Sequence, residues 1–191
     1  MKNLIEKVFQ ESIKVKEDTL RDNLSSILSA AEEIIRVLRA DGKILLFGNG
    51  GSAADSQHIA AEFIGRFQKE RQSLAALALT TDSSILTALG NDYGFDVIFS
   101  RQIEGLGRKG DIALGISTSG SSRNVINGIK QARKMGMKTI SLTGCGGGEI
   151  ASLSDIKIVV PSQITARIQE AHSCIAHAIC ELVEKSFSVN K

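Results

Sequence analysis

The chain has 191 residues, enough for one domain with a substantial core, and its 23 basic and 21 acidic residues nearly balance. With no long run of either sign, it lacks the concentrated basic face of a protein whose main partner is nucleic acid. The opening MKNLIEKVFQESIKVKED alternates charge with apolar residues and offers no stretch for a signal peptide or a membrane span, so a cytoplasmic chain with no membrane partner is expected. Its cysteines, Cys145, Cys174 and Cys180, have no metal-type pairing and are expected to be buried free thiols.

In chain order, residues 1–40 place Leu4, Ile5, Val8 and Ile13 at helical spacing among charges, and the segment predicts two helices ended by Asp41-Gly42. Short apolar runs then alternate with helical stretches. Strands are predicted at Lys43–Phe47, Leu74–Leu79, Asp111–Ile116, Lys138–Leu142 and Ile156–Val160. Helices are predicted to begin near Ser52, Ser83, Phe95, Ser122 and Gly148, with a long last one from about Thr165 to Phe187. The strands are continuously apolar rather than alternating, as in a parallel sheet covered on both faces. The chain therefore reads as an α/β domain with an open five-stranded parallel sheet, residues 41–191, preceded by N-terminal helices in residues 1–40.

Three small-residue loops follow the strands: Gly48-Asn49-Gly50-Gly51-Ser52, Ser117-Thr118-Ser119-Gly120-Ser121-Ser122 and Thr143–Gly148. In open α/β sheets a ligand sits beyond these carboxyl ends. The first loop satisfies a relaxed dinucleotide fingerprint only formally, because no acidic residue ends the next strand at the usual distance; no lysine follows the glycines as in a P-loop. It also reads as a tight turn with Ser52 as N-cap and Asp55 completing a capping box. The serine loop gathers hydroxyls and backbone N–H groups at a helix start, which suits a phosphate monoester, although a plain serine-rich turn has the same composition.

His58 and Glu62, four residues apart, leave one helix face; they suit either a reactive site or a helix-stabilising contact. In the last helix Gln169, His172 and His177 lie beside Arg167 and Glu170. Imidazole, carboxylate and amide oxygen together could hold a zinc-like ion. Gln169 and His172 share a face, whereas Gln169 and His177 are separated by a rise of about 12 Å and an angle of about 80° in a continuous helix.

The set GNGGS with His58 and Glu62, then Asn91-Asp92-Tyr93-Gly94, STSGSS, and Arg167-Ile168-Gln169-Glu170 with His177 resembles the phosphoheptose isomerases, a branch of the sugar isomerase (SIS) domain family. The resemblance covers essentially the whole chain. It implies a flavodoxin-like three-layer sandwich and an aldose–ketose isomerase acting on sedoheptulose 7-phosphate. It implies Zn2+ held by His58, Glu62, Gln169 and His177, and a homotetramer with active sites at subunit boundaries, residues 1–40 helping to form it. It further implies substrate contacts from Asn49, Gly50, Gly51, Ser52, Glu62, Asn91, Asp92, Ser117, Thr118, Ser119, Ser122 and Gln169. On chemical grounds Glu62 is the candidate base and His177 the candidate acid. Two rival readings are a non-catalytic SIS protein that binds a protein partner, such as the replication-initiator-associating factor, and an isomerase or sensor of another phosphosugar.

Overall fold

A computed structural model describes residues 1–188. Five parallel strands, β1 (Ile44–Gly48), β2 (Ala76–Ala78), β3 (Ile112–Ser117), β4 (Lys138–Thr143) and β5 (Ile156–Val159), lie in the order β2-β1-β3-β4-β5. Among the described residues the α-helices are α1 (Lys2–Arg39), α2 (Gly51–Ile64), α3 (Ser83–Tyr93), α4 (Ile98–Leu106), α5 (Arg123–Lys134), α6 (Gly148–Leu153) and α7 (Thr165–Phe187), with a 3-10 turn at Phe95–Val97 before α4. The strand order reverses between β1 and β3, so their carboxyl ends open the crevice where such sheets take ligands.

Alternate strand residues face opposite layers. Ile44 and Leu46 of β1, with Ile112, Leu114 and Ile116 of β3, pack under α1, α2 and α7. Leu45, Phe47 and Ala113 face α4, α5 and Ile150 of α6. Burial on both faces is why these strands carry continuous apolar runs. The predicted strands all form, with ends moved by a residue or so, except that β2 is reduced to three residues. Leu74 is lost from it because its N–H donates to the Phe63 carbonyl at the end of α2, 3.0 Å away.

The N-terminal segment differs from expectation: it is one helix of 38 residues, about 57 Å long, not two. The polar stretch Asp18–Asn23 contains no glycine or proline to break it. Thr19 donates its hydroxyl to the Val15 carbonyl and Asn23 donates its amide to the Thr19 carbonyl, so both side chains fold back onto the helix. The second half of α1 buries Ile27, Ala30, Ala31, Ile34 and Val37, whereas Leu4, Ile5, Phe9 and Ile13 stand exposed. Among the described residues no helix is long and apolar enough to cross a membrane. Of the cysteines only Cys180 is buried, and burial pushes its thiol up to about 12; Cys145 is half-buried and Cys174 exposed, contrary to expectation.

Asn23 also closes the sheet. It accepts from the Val159 N–H at 2.9 Å and donates to the Val159 carbonyl at 3.0 Å, pairing the outward backbone groups of edge strand β5. Asn23→Ala leaves both groups without these partners and should cost about 1–3 kcal/mol. Denaturant unfolding measures it, with turnover expected to stay at the parent value.

Candidate active site

The glycine loop after β1 starts α2 without help from a side chain. Gly50, at φ 56°, occupies the N-cap position, and Ser52 lies in the first helical turn at 3% exposure. The predicted capping box is therefore absent, because the turn at Gly50 puts the N-cap two residues before Ser52 and the Ser52 side chain is enclosed in the fold. Ser52 is thus enclosed rather than presented to a ligand. A Cβ on Gly51 would collide with the Gln169 amide of α7, so glycine here admits Gln169 to the loop. The Asn49 amide exchanges two hydrogen bonds of 2.8 Å with Asn124, which ties β1's loop to the start of α5.

The serine loop follows β3. Ser117 is buried, and its hydroxyl lies 3.0 Å from that of Ser122 and 3.4 Å from that of Ser119. Ser119 in turn accepts from the Ser121 N–H at 3.2 Å. Ser122 takes the N-cap position of α5 without a side-chain cap bond, and the Val125 N–H donates to Asn124 Oδ1 at 2.9 Å. The Gly146–Gly148 run supports this loop. A Cβ on Gly120 would strike the Gly147 carbonyl, and one on Gly148 the Gly120 carbonyl. The two backbones touch, and the Ile150 N–H donates to Gly120 at 3.0 Å.

His58, Glu62 and His177 converge. His58 Nε2 lies 3.1 Å from Glu62 Oε1 and 3.5 Å from His177 Nε2, with the imidazole rings edge-on at 5.1 Å. Phe67 flanks His177 at 5.5 Å. One turn nearer the loops, Asp55 accepts from Ser173 at 3.4 Å; burial raises its carboxyl pKa against that hydrogen bond and the nearby imidazoles. A single Nε2–H on His58 cannot satisfy both a carboxylate and a facing imidazole nitrogen. Two of the cluster's spacings approach the donor–donor separation of roughly 3.3 Å around tetrahedral zinc. Among the described residues no group of three or more His, Cys, Asp or Glu is arranged to hold a metal ion. The fit is one of donor chemistry and pairwise spacing, with Gln169 two turns away on α7.

His172 does not belong to this cluster, although it shares a helical face with Gln169. It is 1% exposed and its Nε2 donates to the Thr143 carbonyl at 3.2 Å. Asn91 and Asp92 are exposed at the end of α3 and bonded to each other at 2.8 Å. Among the described residues no hydrogen bond joins them to either loop. Leu86 and Phe95 line a cavity of about 140 Å³ beside Asn49 and Gly50. Arg71, Asn124 and Glu184 were missed by sequence reasoning; only Asn124, placed just after the serine loop, offered a local signal.

The fold and these loops define a phosphosugar-binding domain of the SIS type, and the sequence pattern of the SIS domain family matches residues 8–144. Phosphoheptose isomerase of Aquifex aeolicus (strain VF5) is 54% identical over 181 residues, 95% of each chain. The structure of phosphoheptose isomerase from Neisseria gonorrhoeae superposes with a TM-score of 0.92 at 48% identity, covering 96% of this chain and 98% of that one. That of Francisella tularensis also gives 0.92, at 38% identity, with coverage of 96% and 97%. The chain belongs to the phosphoheptose isomerase family.

Burial pushes the His172 imidazole down to about 4, against the opposing bond to Thr143. Between about 6.5, the ordinary value, and that pH the unfolded chain binds the extra proton, so stability is complete above this window and falls as pH drops through it. The loss should approach about 3 kcal/mol. Urea titrations at pH 7 and 4.5 measure it, and His172→Asn should flatten the slope.

Proposed function

We propose that the protein interconverts sedoheptulose 7-phosphate and D-glycero-D-manno-heptose 7-phosphate, the first step toward activated heptose for bacterial surface glycans such as lipopolysaccharide. One observation carries the reading: a carboxylate and two imidazoles from α2 and α7 meet, within 3.1 and 3.5 Å, on helices that also border the glycine loop. A protein-binding scaffold needs no such cluster. Ser119, Ser122 and the start of α5 receive the phosphate, whose charge is favoured by the helix dipole. Thr118 belongs to the same loop, and Asn49 and Gly50 line the adjoining cavity.

Glu62 takes a proton from C1 of the ketose while His177 protonates the C2 oxygen, giving the enediol. Returning the proton to C2 and removing the one on O1 completes the aldose, with the roles exchanged in the reverse direction. His58, Glu62, Gln169 and His177 would hold Zn2+, which would supply a Lewis acid to polarise the carbonyl or orient the site; an atom bound to the ion cannot also carry the proton, so Glu62 and His177 serve one duty at a time. The compartment proposed is the cytoplasm, in keeping with three free cysteines.

Glu62→Gln keeps the shape but cannot accept the proton, so turnover should fall by about 10²–10⁴-fold. NMR of sedoheptulose 7-phosphate incubated with each protein decides it; near-normal conversion by the variant removes Glu62 from the mechanism. Metal analysis of the same preparations should find zinc in the parent and in His172→Asn, and little in His177→Asn.

The working form proposed is a homotetramer whose sites are completed across subunit boundaries, with Asn91 and Asp92 supplied by a neighbouring copy. The support is the exposed apolar face of α1, where Leu20, Leu24 and Leu28 border a groove of about 390 Å³ against Cys174, Ile175 and Leu182 of α7. Light scattering should give a tetramer's mass. Leu24→Glu with Leu28→Glu should yield smaller, inactive species. A fully active monomer would overturn this assembly.

A further inference from the structure

The loop joining α2 to β2 holds a buried ion pair. Arg71 and Glu184 are 2% and 3% exposed in their side chains, with Nε and Oε1 3.8 Å apart. Arg71 Nη2 donates to the Glu62 carbonyl at 2.6 Å, and Nη1 donates to those of Phe63, Gly65 and Gln72 at 2.8, 3.0 and 2.9 Å. Two of these belong to the last turn of α2, where carbonyls lack helical partners and the dipole favours a cation. Glu184 accepts from the backbone N–H groups of Phe67, Gln68 and Lys69 at 2.8, 2.8 and 2.9 Å. Burial opposes its ionisation, but these three donors and Arg71 outweigh it and hold the carboxyl below its ordinary value.

The pair connects the two helices of the site. Arg71 grips the backbone of Glu62 itself. Glu184 stands two turns beyond His177 on α7 and fixes the N–H of Phe67, whose ring lies against His177. A buried ion pair is a weak stabiliser compared with apolar residues of the same volume. Apolar packing, however, tolerates sliding along a helix, whereas seven directed hydrogen bonds to fixed carbonyls and amides do not.

We infer that Arg71 and Glu184 are positioning residues for the isomerisation: they fix the register of α2 on α7, hence the spacing of His58, Glu62 and His177, and seat Phe67 on the His177 ring. The inference rests on the proposed role of that cluster. Arg71→Lys keeps the charge but cannot serve four carbonyls, and Glu184→Gln turns an amide N–H₂ toward backbone donors. Phe67→Leu removes the ring contact without touching a buried charge, and it decides the matter with Arg71→Lys if Glu184→Gln fails to fold.

Each variant should lower kcat by about 10- to 100-fold, the scale of small misplacements in a site, with KM within about twofold of the parent. Asn23→Ala, destabilised at the β5 edge without touching α2 or the His58–Glu62–His177 cluster, should keep the parent kcat when assayed well below its melting temperature. Crystal structures of the folded variants should show the His58–His177 separation changed for Arg71→Lys and Glu184→Gln. If kcat matches that of Asn23→Ala, or falls while the separation is unchanged in both clasp variants, the inference is overturned. If the parent protein fails to convert the sugar phosphate, the functional reading falls, and the separation in the variants still decides whether the clasp sets the register.

Discussion

The packing of α2 along α7 is the contact on which the candidate site depends. The two helices meet at successive levels away from the strand ends: Gly51 with Gln169, Asp55 with Ser173, His58 with His177, and the end of α2 with Glu184 through Arg71. Beneath these polar meetings Ile59, Ala60 and Phe63 of α2 share one core with Ala176, Ile179 and Val183 of α7. Area burial makes the contact strong but leaves it indifferent to small slides, so the polar pairs decide which residues face each other. Donors of a metal or a proton relay must be held to within fractions of an ångström, and rigid helices locked by such pairs achieve this better than loops.

The sheet contributes the other half of the site through its topology. Because the strand order reverses between β1 and β3, the glycine loop and the serine loop open side by side at the carboxyl edge. The reciprocal Asn49–Asn124 amide pair joins them, and backbone contact between Gly120 and Gly148 ties the serine loop to the loop after β4. Glycine is required at that contact because two backbones approach within the space of a Cβ.

The long N-terminal helix serves two faces. Its second half completes the apolar layer over the sheet and, through Asn23, closes the edge at β5. The first half leaves Leu4, Ile5, Phe9 and Ile13 exposed, although Arg167 of α7 reaches back to the Val8 carbonyl at 2.7 Å. A row of large apolar side chains on an otherwise charged helix is costly to leave in water, which is the physical ground for reading this face as covered by another copy.

Much was legible in the sequence because it rested on local patterns. Continuous apolar runs identified the buried strands, glycine and serine clusters marked the loops that follow β1, β3 and β4, and the limits of α7 matched expectation because its periodicity spans six turns. The i, i+4 spacing put His58 and Glu62 on one face, since helical geometry alone fixes that relation. Where local rules were ambiguous the tertiary structure decided. Residues 1–40 read as two helices, but nothing in Asp18–Asn23 breaks the chain, and Thr19 and Asn23 bond back within α1 or across to β5. Ser52 suited an N-cap, yet the turn at Gly50 buried it. Helical spacing alone paired Gln169 with His172, while packing on β4 turned His172 inward to Thr143 and gave His177 to His58. Arg71 and Glu184 lie 113 positions apart with no motif around either. Their meeting depends on where two helix ends come to rest on one sheet, a long-range consequence of chain topology that no window of sequence contains.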